Sequence, residues 1–287
     1  MWVRTRAIVA TGLVLAVVAS LGIYLVVRNL GGQLRLPMAS RSCTVQADGQ
    51  VRLNAEQMAH AATIAAIGIQ RNMPERAVVV ALATAFQESG LENLPDGDRD
   101  SIGLFQQRPS QGWGTPEQIS DPRYAANKFY AGLKKVRGWE KMRVTDAAQA
   151  VQRSAFPEAY QKWADESEVL TRALLGDATA AVACSVGRTP AMRGDAAAAA
   201  LTEGLALDWG LPAAGGLAEL TGLSVPAADP RDGWRYAHWL VSHAQDHGVK
   251  RVRFADLEWT ADAGTWSKVS DKGRHDTKVV AEVFAEA

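Results

Sequence analysis

The spacing of apolar and polar positions predicts helix through most of this chain. Residues Ala7 to Val27 run for 21 positions without a charge, enough at ~1.5 Å per residue to cross a hydrocarbon core of ~30 Å. A cleavable signal peptide has a shorter apolar core of ~7–15 residues followed at once by small residues. Here Arg28-Asn29-Leu30 follows. The pattern therefore predicts a transmembrane anchor over 7–27, with 1–6 as a cytoplasmic tail and the rest of the chain outside the membrane. Residues 28–42, which hold two glycines and Pro37, read as a linker.

A helical period begins near Leu53, where Asn54 is placed to cap and Gln57 to complete a capping box. It runs through Ile69 and is broken at Asn72-Met73-Pro74. The next helix, Pro74 to Ser89, is apolar on almost every face, which predicts burial. Asp121-Pro122 opens another helix, Val144-Thr145-Asp146 a short one through Val151, and Pro157 a further pair to about Leu175. One irregular stretch, Leu91 to Thr115, interrupts this order, and a loop of that length inside a compact domain is usually functional. Residues 185–230, rich in Ala and Gly, read as a linker or as part of the C-terminal module. In that module, over 231–287, a helix to about Gln245 precedes a stop at Gly248. A strand from Val249, a hairpin around Ala263-Gly264 and a strand from Lys278 to Phe284 complete the chain. The expected fold class is mainly α: a helical domain over 43–184 after the transmembrane helix, then a small α+β module.

Composition narrows the function. Lys plus Arg and Asp plus Glu both number 31 among 287 residues, so the basic excess of a nucleic-acid binder is missing and no nucleic-acid partner is expected. The two cysteines, Cys43 and Cys184, bracket the helical domain. In an oxidising compartment their even number favours a disulfide closing that domain at its base; two unrelated buried thiols is the other reading.

The helix from Pro74 ends in Gln87-Glu88-Ser89. A carboxyl group there meets low dielectric on one side and an open cleft on the other, which raises its pKa and suits it to general acid work. A solvated acid in a last helical turn is the plainer alternative.

Gln87-Glu88-Ser89, Gly103-Leu104-Phe105-Gln106-Gln107, Gly112-Trp113-Gly114 and Asp121-Pro122-Arg123-Tyr124-Ala125-Ala126-Asn127 together resemble the lysozyme-like superfamily of soluble lytic transglycosylases and goose-type lysozymes, most of all its membrane-anchored actinobacterial members. The resemblance covers about Val51 to Leu175. It implies a lysozyme-like helical domain and a peptidoglycan glycosidase, in which Glu88 protonates the oxygen between N-acetylmuramic acid and N-acetylglucosamine. It also implies that Gly103, Phe105 and Gln106 line the sugar cleft, that Gln106 and Gln107 meet the N-acetyl groups, and that Ser89 orients the Glu88 carboxyl. Ala159-Tyr160-Gln161 stands where the family has Ala-Tyr-Asn, which makes Tyr160 a candidate substrate contact. Glycan strands are the implied partner, with envelope or secretion-apparatus components beyond them.

Two-carboxylate glycosidases need a second acid, and Asp96, Asp98 and Asp100 offer one. Hydrolase and lytic transglycosylase thus both stay open, beside a non-catalytic peptidoglycan-binding scaffold. The same aspartates start like a calcium loop, but Ser101 and Gln107 replace the Gly and Glu such a loop needs. The C-terminal region resembles, in degenerate form, a zinc D,D-peptidase domain in which only Asp208 falls where a ligand belongs. His243 and His247 are four apart but lack the acid of H-E-x-x-H, so they read as surface histidines and His60 as a packed one. No metal and no cofactor are expected. Trp234, Trp239, Trp259 and Trp266 read as the core of the small module.

Overall fold

Alternation too short to stand out in the sequence shapes the start of the fold. A computed structural model describes residues 42–187, 189–211, 222–270 and 275–286. Its first strands, β1 (Ser42–Gln46) and β2 (Gln50–Asn54), bury Cys43, Val45, Val51 and Leu53 on one face. They pair antiparallel with Val45 opposite Val51. β3 (Val182–Cys184) adds to the free edge of β1 and sets Cys43 opposite Cys184, where the two form a disulfide.

Asn54 then caps α1 (Ala55–Gln70), with the expected reciprocal pair to Gln57. α1 is rich in alanine and buries eleven of its residues. Small side chains let α2 (Glu75–Ser89), α4 (Pro122–Leu133), α6 (Ala164–Leu174), α7 (Gly194–Trp209) and α8 (Pro230–Ser242) all pack against it. α3 (Pro116–Ile119) and α5 (Val144–Gln152) complete the helical set. α2 begins after Pro74 and ends where Gly90 takes a left-handed conformation.

The C-terminal half carries the second antiparallel sheet, in the order β4 (Gly222–Pro226), β8 (His275–Val283), β5 (Val249–Ala255), β6 (Leu257–Thr260) and β7 (Trp266–Lys268). Trp234 of α8 packs edge-on against Phe254 of β5, Trp259 is buried on β6, Trp239 turns instead to Gly204 of α7, and Trp266 donates to the Val182 carbonyl. One hydrophobic cluster runs from Cys43 to Val283, and α7 occupies much of the stretch that composition reads as a linker.

Two expectations are corrected. Helix accounts for 46% and strand for 18%, in two antiparallel sheets, so the fold is mixed α/β and not mainly α. Strands of three to five residues such as β1, β2 and β3 are too short to show a period. Among the described residues no helix is long and apolar enough to cross a membrane, and the expected span, 7–27, lies outside them. α1 and α7, at 16 residues each, fall below the ~20 that a crossing needs. The expected single-pass anchor with external domains therefore has no spanning helix among the described residues.

Two buried polar groups join the halves. Asp208 of α7 accepts from Arg123 Nε of α4, from Thr63 Oγ1 of α1 at 2.9 Å and from Trp239 Nε1 of α8 at 2.8 Å. His238 of α8 accepts from the Ala181 amide at 2.9 Å through Nε2, which leaves Nδ1 to donate to the Ala173 carbonyl at 2.7 Å. Burial pushes His238 down to about 4. The unfolded chain therefore binds this proton near pH 6.5 and the folded chain only near pH 4. Stability is fully present above pH 6.5 and is lost as pH falls through this window, by roughly 3 kcal/mol for this one residue. Urea unfolding at pH 7 and pH 4.5 checks this, with a lower midpoint expected at pH 4.5.

Candidate functional site

The last turn of α2 brings Glu88 to a half-buried position beneath the segment 154–163. Tyr160, fully buried, donates its hydroxyl to Glu88 Oε1 at 2.6 Å. Desolvation by burial is the main effect on Glu88 and raises its pKa; the hydrogen bonds from Tyr160 and Gln152 pull the other way. Tyr160 is itself raised, by burial first and then by Glu88 beside it. The result is a carboxyl group biased toward its neutral, proton-donating form and fixed in direction by a phenol.

Neighbouring elements hold that turn in place. Trp163, in a 3₁₀ turn over Gln161–Trp163, stacks on Phe86 at 4.9 Å and donates to Gln87 Oε1 at 3.2 Å. Thr145, in the first turn of α5, donates to the Pro157 carbonyl and so ties down the segment that carries Tyr160. Gln152, in the last turn of α5, donates through Nε2 to the Phe105 carbonyl at 2.7 Å. It lies between the loop 91–107, the carboxyl group and an open groove of about 780 Å³ that Trp113, Lys135, Val151 and Arg153 also line.

The loop folds back on itself. Ile102 and Gln107 exchange backbone hydrogen bonds at 2.9 and 3.0 Å, and Ser89 Oγ donates to the Leu104 carbonyl at 2.8 Å. Ser89 thus fixes the loop, and its hydroxyl is spent on the Ala85 and Leu104 carbonyls. Phe105 is buried against Phe129 at 4.8 Å, and Gln107 is buried with its amide on the Ala125 carbonyl at 3.1 Å. These two build the core beneath the site. Gly103 has φ +76 and sits under the Ile119 carbonyl. Gln106 stays half-buried and folds its amide onto the Gly103 carbonyl at 3.2 Å.

The aspartates stand apart from this arrangement. Asp98 is exposed and faces Arg99 at 3.8 Å. Asp100 accepts from the Ser110 amide at 2.8 Å and from Arg108 Nε at 2.6 Å, and these partners, Ser110 before Arg108, hold it well below the usual carboxylate range. Among the described residues neither bonds to Glu88, and Asp96 is exposed. Glu88 is, among those residues, the one carboxylate in its hydrogen-bonded set.

Sequence reasoning missed Gln152 and Phe156. No motif marks Gln152, which reaches Glu88 only because α5 packs on α2. Phe156 is 72% exposed, four residues before Tyr160, and an exposed aromatic beside Pro157 was the signal that could have found it. It also misplaced His243, which is buried, and passed over Asp246, the acid that stands between the two histidines.

No family model matches the chain, and no curated protein matches it.

A Cβ at position 103 would lie 2.8 Å from the Ile119 carbonyl oxygen, on backbone that already requires a positive φ. Gly103→Ala is expected to lower stability by about 1–3 kcal/mol, read as a lower urea midpoint. An unchanged midpoint would show that the loop adjusts freely.

Proposed function

We propose that this chain is a peptidoglycan glycosidase of the lytic transglycosylase type, acting on the β-1,4 bond between N-acetylmuramic acid and N-acetylglucosamine. The observation that carries the reading is the Tyr160–Glu88 hydrogen bond at 2.6 Å, on a carboxyl group raised by burial and without a second acid bonded to it. The ordered motifs from Gln87 to Asn127 supply the substrate class by resemblance.

The chemistry follows from one carboxyl group used twice. In its neutral form Glu88 gives its proton to the glycosidic oxygen as the bond to the muramic anomeric carbon breaks, so the sugar leaves as an alcohol. The muramic 6-hydroxyl then attacks that carbon and returns its proton to the Glu88 carboxylate. A 1,6-anhydro end forms, and no water and no second carboxylate are consumed. Tyr160 keeps the carboxyl group aimed throughout, because its hydroxyl occupies Oε1. The groove beside Gln152 suits a saccharide: Trp113 offers an aromatic face, and Lys135 and Arg153 offer positive charge to carboxylates on the muramic lactyl group or its peptide. Phe156 adds an exposed ring on the same segment as Tyr160.

Release of soluble muropeptides from purified peptidoglycan tests the reading. Glu88→Gln is expected to lose about 10²–10⁴-fold, the usual weight of a general acid. Tyr160→Phe is expected to lower the rate and to move its alkaline limb to higher pH. The sign follows from the hydrogen bond: the phenol favours the carboxylate, so removing it raises Glu88 further and keeps the acid protonated to higher pH. If wild type and Glu88→Gln release nothing alike while both bind the wall, the enzyme reading fails and a peptidoglycan-binding scaffold replaces it.

A further inference from the structure

A second polar cluster lies in the C-terminal half, in a pocket that Glu88, Tyr160 and Gln152 do not line. The chain leaves α8 at Ser242 and continues in a turn from His243 to Gly248 before β5. The His247 amide bonds the His243 carbonyl at 2.9 Å, so the helical spacing persists and places both imidazoles on one side. Their rings stack at 5.2 Å and 14°. Asp246 joins them, and one donor atom from each of His243, Asp246 and His247 lies within 4.8 Å of the others.

All three line a pocket of about 560 Å³, whose other wall is His60 and Thr63 of α1 with Arg123 of α4. His243 is only 4% exposed, yet its Nε2 has no hydrogen-bond partner, and neither does His247 Nδ1. A buried nitrogen without a partner costs about 1–3 kcal/mol; His247 Nδ1 has none to offset that cost, while His243 turns Nδ1 to Asp246 and has its Nε2 4.0 Å from Asp208 Oδ2.

We propose that His243, Asp246 and His247 bind one divalent transition-metal ion of the zinc class, with a coordination position left open toward the pocket. Two imidazoles and a carboxylate are a donor set that zinc and its neighbours favour over calcium or magnesium. His243 Nδ1 and Asp246 Oδ2 stand 3.2 Å apart, close to the ~3.3 Å edge of a tetrahedron whose metal–ligand bonds are about 2.0–2.1 Å. His247, half-buried, brings its donor atom within 4.8 Å of the other two. Behind the site, Asp208 Oδ2 lies 4.0 Å from His243 Nε2, longer than a hydrogen bond, so it sets negative charge behind the imidazole without fixing the ring. Asp208 is held there by Arg123, Thr63 and Trp239. Three protein ligands leave the fourth position to water or to an anionic group entering the pocket.

The test uses the full chain, freed of metal by a chelator and titrated calorimetrically with Zn²⁺, with Co²⁺ as a spectroscopic probe. One Zn²⁺ per chain at micromolar affinity or tighter is expected, with a visible Co²⁺ band of four-coordinate intensity. Asp246→Asn and His247→Gln, both at half-buried positions, are each expected to weaken binding by about tenfold or more and to abolish the Co²⁺ band. They are also expected to lose the rise in unfolding midpoint that Zn²⁺ gives the wild type. No stoichiometric binding by the wild type, or binding unchanged in both variants, overturns the proposal.

Discussion

The arrangement around α2 depends on keeping one carboxyl group in a place where charge is unwelcome. Glu88 stands at the end of a helix whose residues from Ala77 to Phe86 are all buried, so water reaches it from one side only. That burial raises its pKa, and it would also leave an unpaired polar group if nothing answered it. Tyr160 answers it at 2.6 Å. The surrounding contacts serve that pairing: Trp163 stacks on Phe86, Thr145 pins the Pro157 carbonyl, and Ser89 holds the loop 91–107 against the helix. The phenol is a neutral donor, so it aims the carboxyl group while pulling its pKa down less than a cation would. An acid meant to stay protonated calls for a partner of that kind.

The C-terminal half is tied to the rest by groups that tolerate little change. Asp208 is fully buried and shares its two oxygens among side chains from α1, α4 and α8. Removing one partner of a buried charge typically costs more than the pair contributes. The disulfide clasps β1 to β3, and His238 bonds the chain on both sides of the link from α6 to β3. The buried carboxylate that joins these helices also lies behind the His243 cluster. Architecture and proposed metal site thus share one residue.

Local signals were legible and long-range ones were not. Asn54 with Gln57 and Asp121 before Pro122 set helix starts by hydrogen bonds within a few residues, and the structure has both of them. The Cys43–Cys184 pair was legible because two cysteines allow a single pairing. Glu88 stood out through the contrast between an apolar helix and its polar end. Tyr160 lies 72 residues further on, and nothing in local pattern says that its hydroxyl meets Glu88. Phe105 and Gln107 looked like cleft residues because they share a motif with Gln106. Packing on Phe129 and a bond to Ala125 turn both of them inward. The strands beside the disulfide went unseen because five residues of alternation are indistinguishable from a linker. His243 read as exposed because its burial comes from α8 docking on α1 and α7, which composition does not reveal.

In the proposed reaction a single carboxyl group, Glu88, acts as both acid and base. Mass spectrometry of the glycan ends released from purified peptidoglycan tests this most directly. One-carboxylate chemistry predicts 1,6-anhydromuramic ends, each lighter than a reducing end by one water. Reducing ends would contradict it, because they require an activated water and a second catalytic group that the hydrogen-bonded set around Glu88 does not contain.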